Sequence, residues 1–153
     1  MLQVGKKAPA ISLLDGKGKK RTLKEFLGKN VVLYFYPKDM TPGCTTESCD
    51  FRDALPNFSK LDAAIIGVSP DSVERHKKFA EKYDLLFTLL SDEKRVVLEK
   101  YGVWQEKKLY GRVFLGVVRT TVIIDQKGIV RKIYPKVKVK GHVEEVYNFL
   151  KEL

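Results

Sequence analysis

The sequence predicts an α/β fold, one domain over residues 1–153, with a central mixed β-sheet flanked by helices on both faces. Three observations lead there. VVLYFY, residues 31–36, is a continuous apolar run, the pattern of a strand buried on both faces. Segments whose apolar residues recur at helical spacing alternate with such runs through the first two-thirds of the chain. Late in the chain TTVIID (120–125) and IVRKIY (129–134) flank Gln126, Lys127 and Gly128 as a hairpin. Early alternation with a late hairpin gives a mixed sheet. A chain of 153 residues is also long enough to bury a proper core in one domain.

In order along the chain, Ile11–Leu14 and the following DGKGKK make a strand and a glycine-rich turn. Thr22 caps a short helix through Leu27, stopped by Gly28. After VVLYFY comes a loop, then a helix whose face carries Phe51, Leu55 and Phe58. Pro56 lies inside that helix and should bend it, or make it restart, near Ala54. AAIIGVS (63–69) is a second buried strand, and Asp71 and Ser72 start a helix with Val73, Phe79, Ala80 and Tyr83 on one face. A strand is expected around Phe87–Leu90, and a helix with Val96, Val97 and Tyr101 ends at Gly102. Val143, Val146, Tyr147 and Leu150 form the buried stripe of a terminal helix. No internal repeat, low-complexity tract or long linker interrupts this order.

Composition narrows the classes. With 44% hydrophobic and 31% charged residues the chain is an ordinary globule, somewhat rich in charge. No apolar run approaches the roughly 20 residues of a membrane span, and MLQVGKKAPAISLL lacks a signal-peptide h-region. A cytoplasmic location is the expectation. The net charge of +10 raises nucleic-acid binding, but the cations are spread from Lys6 to Lys151 with acids among them. Their densest cluster is RKIYPKVKVKGH (131–142). Its alternation sets Lys136, Lys138 and Lys140 on one side of an extended segment and Val137 and Val139 on the other, as on a solvated sheet edge. Many Lys and Glu with few Asn, Gln, Met and Cys resemble a hyperthermophile composition.

Two cysteines do not make a disulfide framework; in a chain without an export signal such a pair is catalytic or redox-active more often than structural. Both lie in PKDMTPGCTTESCDFRD, Pro37–Asp53. Thr41 suits an N-cap and Pro42 a first helical turn, which puts Cys44 at a helix start. Unpaired N–H groups and the helix dipole favour negative charge there, and the thiolate is the reactive form of cysteine. The bland alternative is a small buried cysteine. On one intact helix, Cys44 and Cys49 would hold their Cα atoms about 8.7 Å and 140° apart. A disulfide needs less than roughly 7 Å, so either the helix start melts on oxidation or Cys44 pairs with another molecule. Gly43, Thr45, Thr46 and Ser48 are poor helix formers and permit melting. No zinc pattern is present; His76 and His142 are distant in sequence and expected at the surface.

Pro37, Thr41 and Cys44 stand in the pattern P-x-x-x-T-x-x-C, which resembles the peroxiredoxin active-site signature. YPKDMTPGCTTESCDFRD is similar to the bacterioferritin-comigratory-protein or peroxiredoxin Q subgroup, which often carries a second cysteine five residues after the first. RTTVIID (119–125) and PKVKVKGH (135–142) extend the likeness over nearly the whole chain. The resemblance implies a thioredoxin-like fold and a thiol peroxidase needing no metal, haem or flavin. It implies Cys44 as the peroxidatic cysteine, oxidised to a sulfenic acid by hydrogen peroxide or an organic hydroperoxide. It gives Thr41 the task of orienting thiolate and peroxide, Pro37 that of shielding the pocket, and Arg119 that of stabilising developing charge. Glu47 supports the arginine. Cys49 is the resolving cysteine, and a thioredoxin- or glutaredoxin-like protein is the reductant. A monomer is expected, with a dimer as the alternative.

Two other classes compete. A thiol–disulfide oxidoreductase on the same fold would normally show Cys-x-x-Cys, whereas four residues separate these cysteines. A nucleic-acid-binding module would cluster aromatics for base stacking, whereas Tyr34, Phe35 and Tyr36 sit in a core-like strand.

Overall fold

The computed structural model describes residues 2–153. VVLYFY forms an interior strand of the sheet, β3 (Asn30–Phe35), and runs on to Tyr36; its side chains alternate between two cores. Val31, Leu33 and Phe35 enter one core; Val32, Tyr34 and Tyr36 enter the other. An unbroken apolar run is the only pattern that serves both faces of a period-2 strand.

Around β3 lie β1 (Ser12–Asp15), β2 (Lys20–Thr22), β4 (Ala63–Ser69), β5 (Thr88–Ser91), β8 (Thr120–Ile124) and β9 (Val130–Tyr134). They run in the order β2-β1-β5-β4-β3-β8-β9. β3, β4 and β5 are parallel, and the flanking strands pair antiparallel, so the sheet is mixed. Helices α1 (Pro42–Lys60), α2 (Val73–Tyr83) and α4 (His142–Lys151) cover the Tyr34 face with Phe51, Phe58, Phe79 and Val146. The short α3 (Val96–Lys100) and the 3-10 turn Leu23–Phe26 cover the Phe35 face. Ser72 caps α2 by accepting the Arg75 N–H.

Four local expectations are corrected. Helix α1 does not restart at Ala54; it is one 19-residue helix with Pro56 inside it. Phe51 and Phe58 straddle the proline, both with no exposed surface, and Phe51 stacks on Tyr34 at 4.7 Å between ring centroids. Packing on either side holds the turn that loses a hydrogen bond. Residues 135–141 are not a strand: Lys136 has φ +50°, and the valines still turn inward while the lysines face water. His76 and His142 are buried rather than superficial, each paired to a polar group inside the molecule.

The fourth is an omission. Residues 104–117 form a separate hairpin, β6 (Trp104–Leu109) and β7 (Arg112–Val117), joined by Tyr110-Gly111, both at positive φ. That is a two-residue primed turn without the Asn-Gly or Asp-Gly that would mark it in sequence. Among the described residues no helix is long and apolar enough to cross a membrane.

Candidate active site

The thiol site lies beyond the carboxyl end of β3, where an open α/β sheet offers a crevice. Tyr36 and the turn Pro37–Thr41 lead directly into α1. Thr41 occupies the N-cap position with extended φ and ψ, and Pro42 follows in the first turn. The Thr41 hydroxyl does not cap the helix, however. It donates to the Lys38 carbonyl at 2.7 Å, while the Thr41 carbonyl accepts the Thr45 N–H at 2.8 Å. Pro37 is half-buried in the same turn.

Cys44 therefore sits in the first turn, 1% exposed. Arg119, in the short link between β7 and β8, reaches it from the start of the strand paired with β3. Its Nη2 donates to Cys44 Sγ at 3.3 Å and its Nη1 to Glu47 Oε1 at 2.6 Å. A guanidinium fork suits two such acceptors on consecutive turns. Gly43 leaves room for the approach, since a Cβ there would stand 3.3 Å from Arg119 Nη2, a tight contact. Behind Cys44, the Tyr34 hydroxyl and Ser48 Oγ pair at 2.8 Å, with the Tyr34 ring laid over Gly67, where a Cβ would meet it at 2.8 Å.

Electrostatics at the site are those of a buried charge cluster. Burial pushes Glu47 up to about 7, although the Arg119 charge and hydrogen bond pull it down. A 2.6 Å ion pair would by itself favour the ionised carboxylate; burial prevails because Glu47 Oε2 is buried with no hydrogen-bond partner among the described residues. Burial works against the Arg119 charge, yet Glu47 and Cys44 outweigh it and hold the guanidinium above its ordinary value. Burial also pushes the Cys49 thiol up, aided by Asp53 and Asp50 and opposed by Arg52. Cys49 is half-buried on the same helix as Cys44, and both are free thiols.

Two contributors escaped the sequence. Lys107, from the unforeseen hairpin, donates to the Val117 carbonyl at 2.9 Å, two residues before Arg119. Burial lowers its pKa and Arg119 lowers it further, against an opposing effect of Cys44. The segment 135–141 also acts here, since the Val137 N–H donates to the Arg119 carbonyl at 2.8 Å. Nothing local in either stretch marks it as near a cysteine. One cluster, Asp39, Asp71 and His76, brings possible metal-ligating atoms within 4.8 Å of one another. Its donor set does not fit a cation, because Tyr36, Arg75, Ser69, the Asp39 N–H and the Leu90 carbonyl already engage those atoms.

A mixed sheet flanked by helices, with a buried thiol at a helix start faced by a guanidinium that a carboxylate holds in place, is the arrangement of a thioredoxin-like protein suited to thiol redox chemistry. Residues 4–133 match the model of the AhpC/TSA family. The chain is 50% identical over 152 residues to peroxiredoxin Bcp of Bacillus subtilis, covering 99% of this chain and 97% of that one. A solved Xanthomonas campestris bacterioferritin comigratory protein, described for alkyl peroxide reduction, matches with TM-score 0.88 at 42% identity over 93% of this chain and 90% of its own. A cysteine-to-serine mutant of Xylella fastidiosa PrxQ matches with TM-score 0.94 at 35% identity, over 99% and 97%. This chain belongs to the AhpC/TSA family, among the Bcp-type peroxiredoxins, and is a thiol peroxidase.

Proposed function

We propose that Cys44 is the nucleophile that reduces hydrogen peroxide and organic hydroperoxides. The observation that carries this is the Arg119 fork, 3.3 Å from Cys44 Sγ and 2.6 Å from Glu47. The Cys44 thiolate attacks the terminal peroxide oxygen. An S–O bond forms to the terminal OH, the O–O bond breaks, and the leaving alkoxide (hydroxide from hydrogen peroxide) takes up from solvent the proton that Cys44 gave up on ionising, departing as alcohol or water. Sulfur is oxidised by two electrons to the sulfenic acid. Arg119 stabilises charge on the sulfur before attack and on the leaving oxygen during it. In this reading Thr41 orients the peroxide and Pro37 screens the pocket from water.

Cys49 then attacks the sulfenic sulfur, forming the Cys44–Cys49 disulfide and releasing water. The folded helix keeps the two Cα atoms roughly 8.7 Å apart, beyond disulfide reach, so resolution is coupled to opening of the first turns of α1. Opening also releases Cys49 from the burial that raises its pKa, which favours the thiolate that attacks. A thioredoxin- or glutaredoxin-like dithiol reopens the bond. Such reductants are kept reduced in the cytoplasm, where we place the protein, acting as a monomer within one domain.

Peroxide consumption with a thioredoxin system tests the assignment. Cys44→Ser should consume nothing above background, and retained turnover would refute it. Hydrogen exchange tests the opening: on oxidation the amides of residues 44–50 should lose protection while 31–36 keep theirs. Equal protection in both forms, with a Cys44–Cys49 bond seen by mass spectrometry, would rule out the melting step.

A further inference from the structure

Asp39 lies in the turn that leads into α1, and its polar groups are all engaged. Tyr36 Oη donates to Oδ1 at 2.6 Å, His76 Nδ1 meets Oδ2 at 2.6 Å, the Asp39 N–H donates to Asp71 Oδ2 at 2.7 Å, and Arg75 donates to its carbonyl at 3.1 Å. Asp39 and His76 have no exposed surface. These partners come from the residue just after β3, from α2 and from the β4–α2 link, and His76 extends the chain to β5 by contacting the Leu90 carbonyl at 2.8 Å.

The hydrogen bonds count the protons. A carbonyl only accepts, so His76 Nε2 carries a hydrogen toward Leu90. At 2.6 Å, Nδ1 and Asp39 Oδ2 share a further proton; without one, two lone pairs would face each other in a dry interior. Tyr36 keeps its own proton, because burial, reinforced by Asp39, raises its pKa far above the ordinary phenol value. Asp39 is thus held at both oxygens, by the Tyr36 hydroxyl on Oδ1 and by the shared proton on Oδ2.

The next residue shows what the pair restrains. Met40 has φ +67°, a conformation that side chains other than glycine rarely adopt. Such a residue persists where its surroundings over-determine it. Thr41 and the helix start follow at once, three residues before Cys44.

We propose that the buried Asp39–His76 pair is a positioning element for the thiol site, pinning the Pro37–Thr41 turn to α2 and β5 and so fixing the helix start that presents Cys44. This deepens, and rests on, the assignment of Cys44 as the nucleophile. His76 touches neither thiol nor peroxide; it acts through Asp39. The pair should matter for a reaction that needs aligned partners, and little for one that needs only an accessible thiol.

Two rate constants for Cys44 make the test, one for hydrogen peroxide by stopped flow and one for iodoacetamide by mass spectrometry. His76→Gln keeps a donor for Leu90 and removes the link to Asp39. Its peroxide rate should fall by about tenfold or more, toward the ~100-fold that a 1 Å misplacement costs, with alkylation within about twofold of the parent. Asp39→Asn keeps the pattern, its amide donating to Nδ1 and its oxygen accepting from Tyr36; it should retain the peroxide rate within about threefold. Should His76→Gln not fold, Tyr36→Phe removes one bond to Asp39 and should lower the peroxide rate alone by a few fold. Loss of both rates in proportion, or of neither, overturns the proposal. Cys44→Ser run alongside separates the two readings: residual turnover there refutes the nucleophile, whereas the ratio of rates reads the Asp39–His76 pair.

Discussion

The two halves of α1 reverse what their sequences promise. The half from Pro42 to Asp50 has a good opening, Thr-Pro at the cap and first turn. The half from Phe51 to Lys60 contains a proline, which local rules make a breaker. In the fold the second half is anchored by large rings: Phe51 against Tyr34, and Phe58 edge-on to Tyr147 with centroids 5.7 Å apart. The buried side chains of the first half are Cys44, Glu47 and Ser48, and each depends on a polar partner elsewhere. Apolar packing stabilises a helix whatever its local signals, whereas a helix end held by charged and hydroxyl groups stays close to opening. The division suits the proposed part of Cys44, aligned when reduced and released when oxidised.

Three changes break or sharpen that contrast. The largest effect belongs to the anchored half. Phe51→Ala should cost about 3–5 kcal/mol of stability, the usual range for a buried Phe, measured by urea unfolding. A loss below about 1 kcal/mol would mean the second half does not hold the helix.

Arg119→Ala acts on the other half. The peroxide rate constant should fall by roughly 100- to 1000-fold, as for loss of one preorganised donor to developing charge. An unchanged stopped-flow rate constant would remove Arg119 from the reaction.

The smallest effect is a matter of pH. Glu47 has an ordinary value of 4.5 and is pushed up to about 7 in the fold. A folded acid with a raised pKa holds a proton that the unfolded chain has lost. Its contribution to stability is therefore full below about 4.5 and is lost as pH rises through about 7. Over the same rise Glu47 ionises and grips Arg119 more firmly, so the peroxide rate should carry a step upward near neutrality. Glu47→Gln should flatten both the stability change and that step. A variant with the parent's profile would show that the step belongs to another group.

Much of this was legible in order along the chain. AAIIGVS is β4 residue for residue, and VVLYFY fills β3 and runs on to Tyr36, because apolar period and run length belong to the strand itself. Cys44 at a helix start followed from Thr41, Pro42 and the change of apolar period after the strand. Residues whose role depends on distant partners were not legible in this way. His76 looks like a surface histidine because an isolated imidazole is at home in water; only Asp39, 37 residues earlier, gives it a reason to be buried. Lys107 gave no sign of lying near Arg119, since its hairpin turn lacks the usual residues and its target is a carbonyl ten positions on. Arg119 was placed by family pattern, not by anything around it. Its fork on Cys44 and Glu47 exists because β8 pairs antiparallel with β3, which brings residue 119 to the strand end where α1 begins. Periodicity and capping act between near neighbours and can be read in sequence. Charges, shared protons and close approaches such as Gly43 against Arg119 are set by chain crossings, which the tertiary structure alone decides.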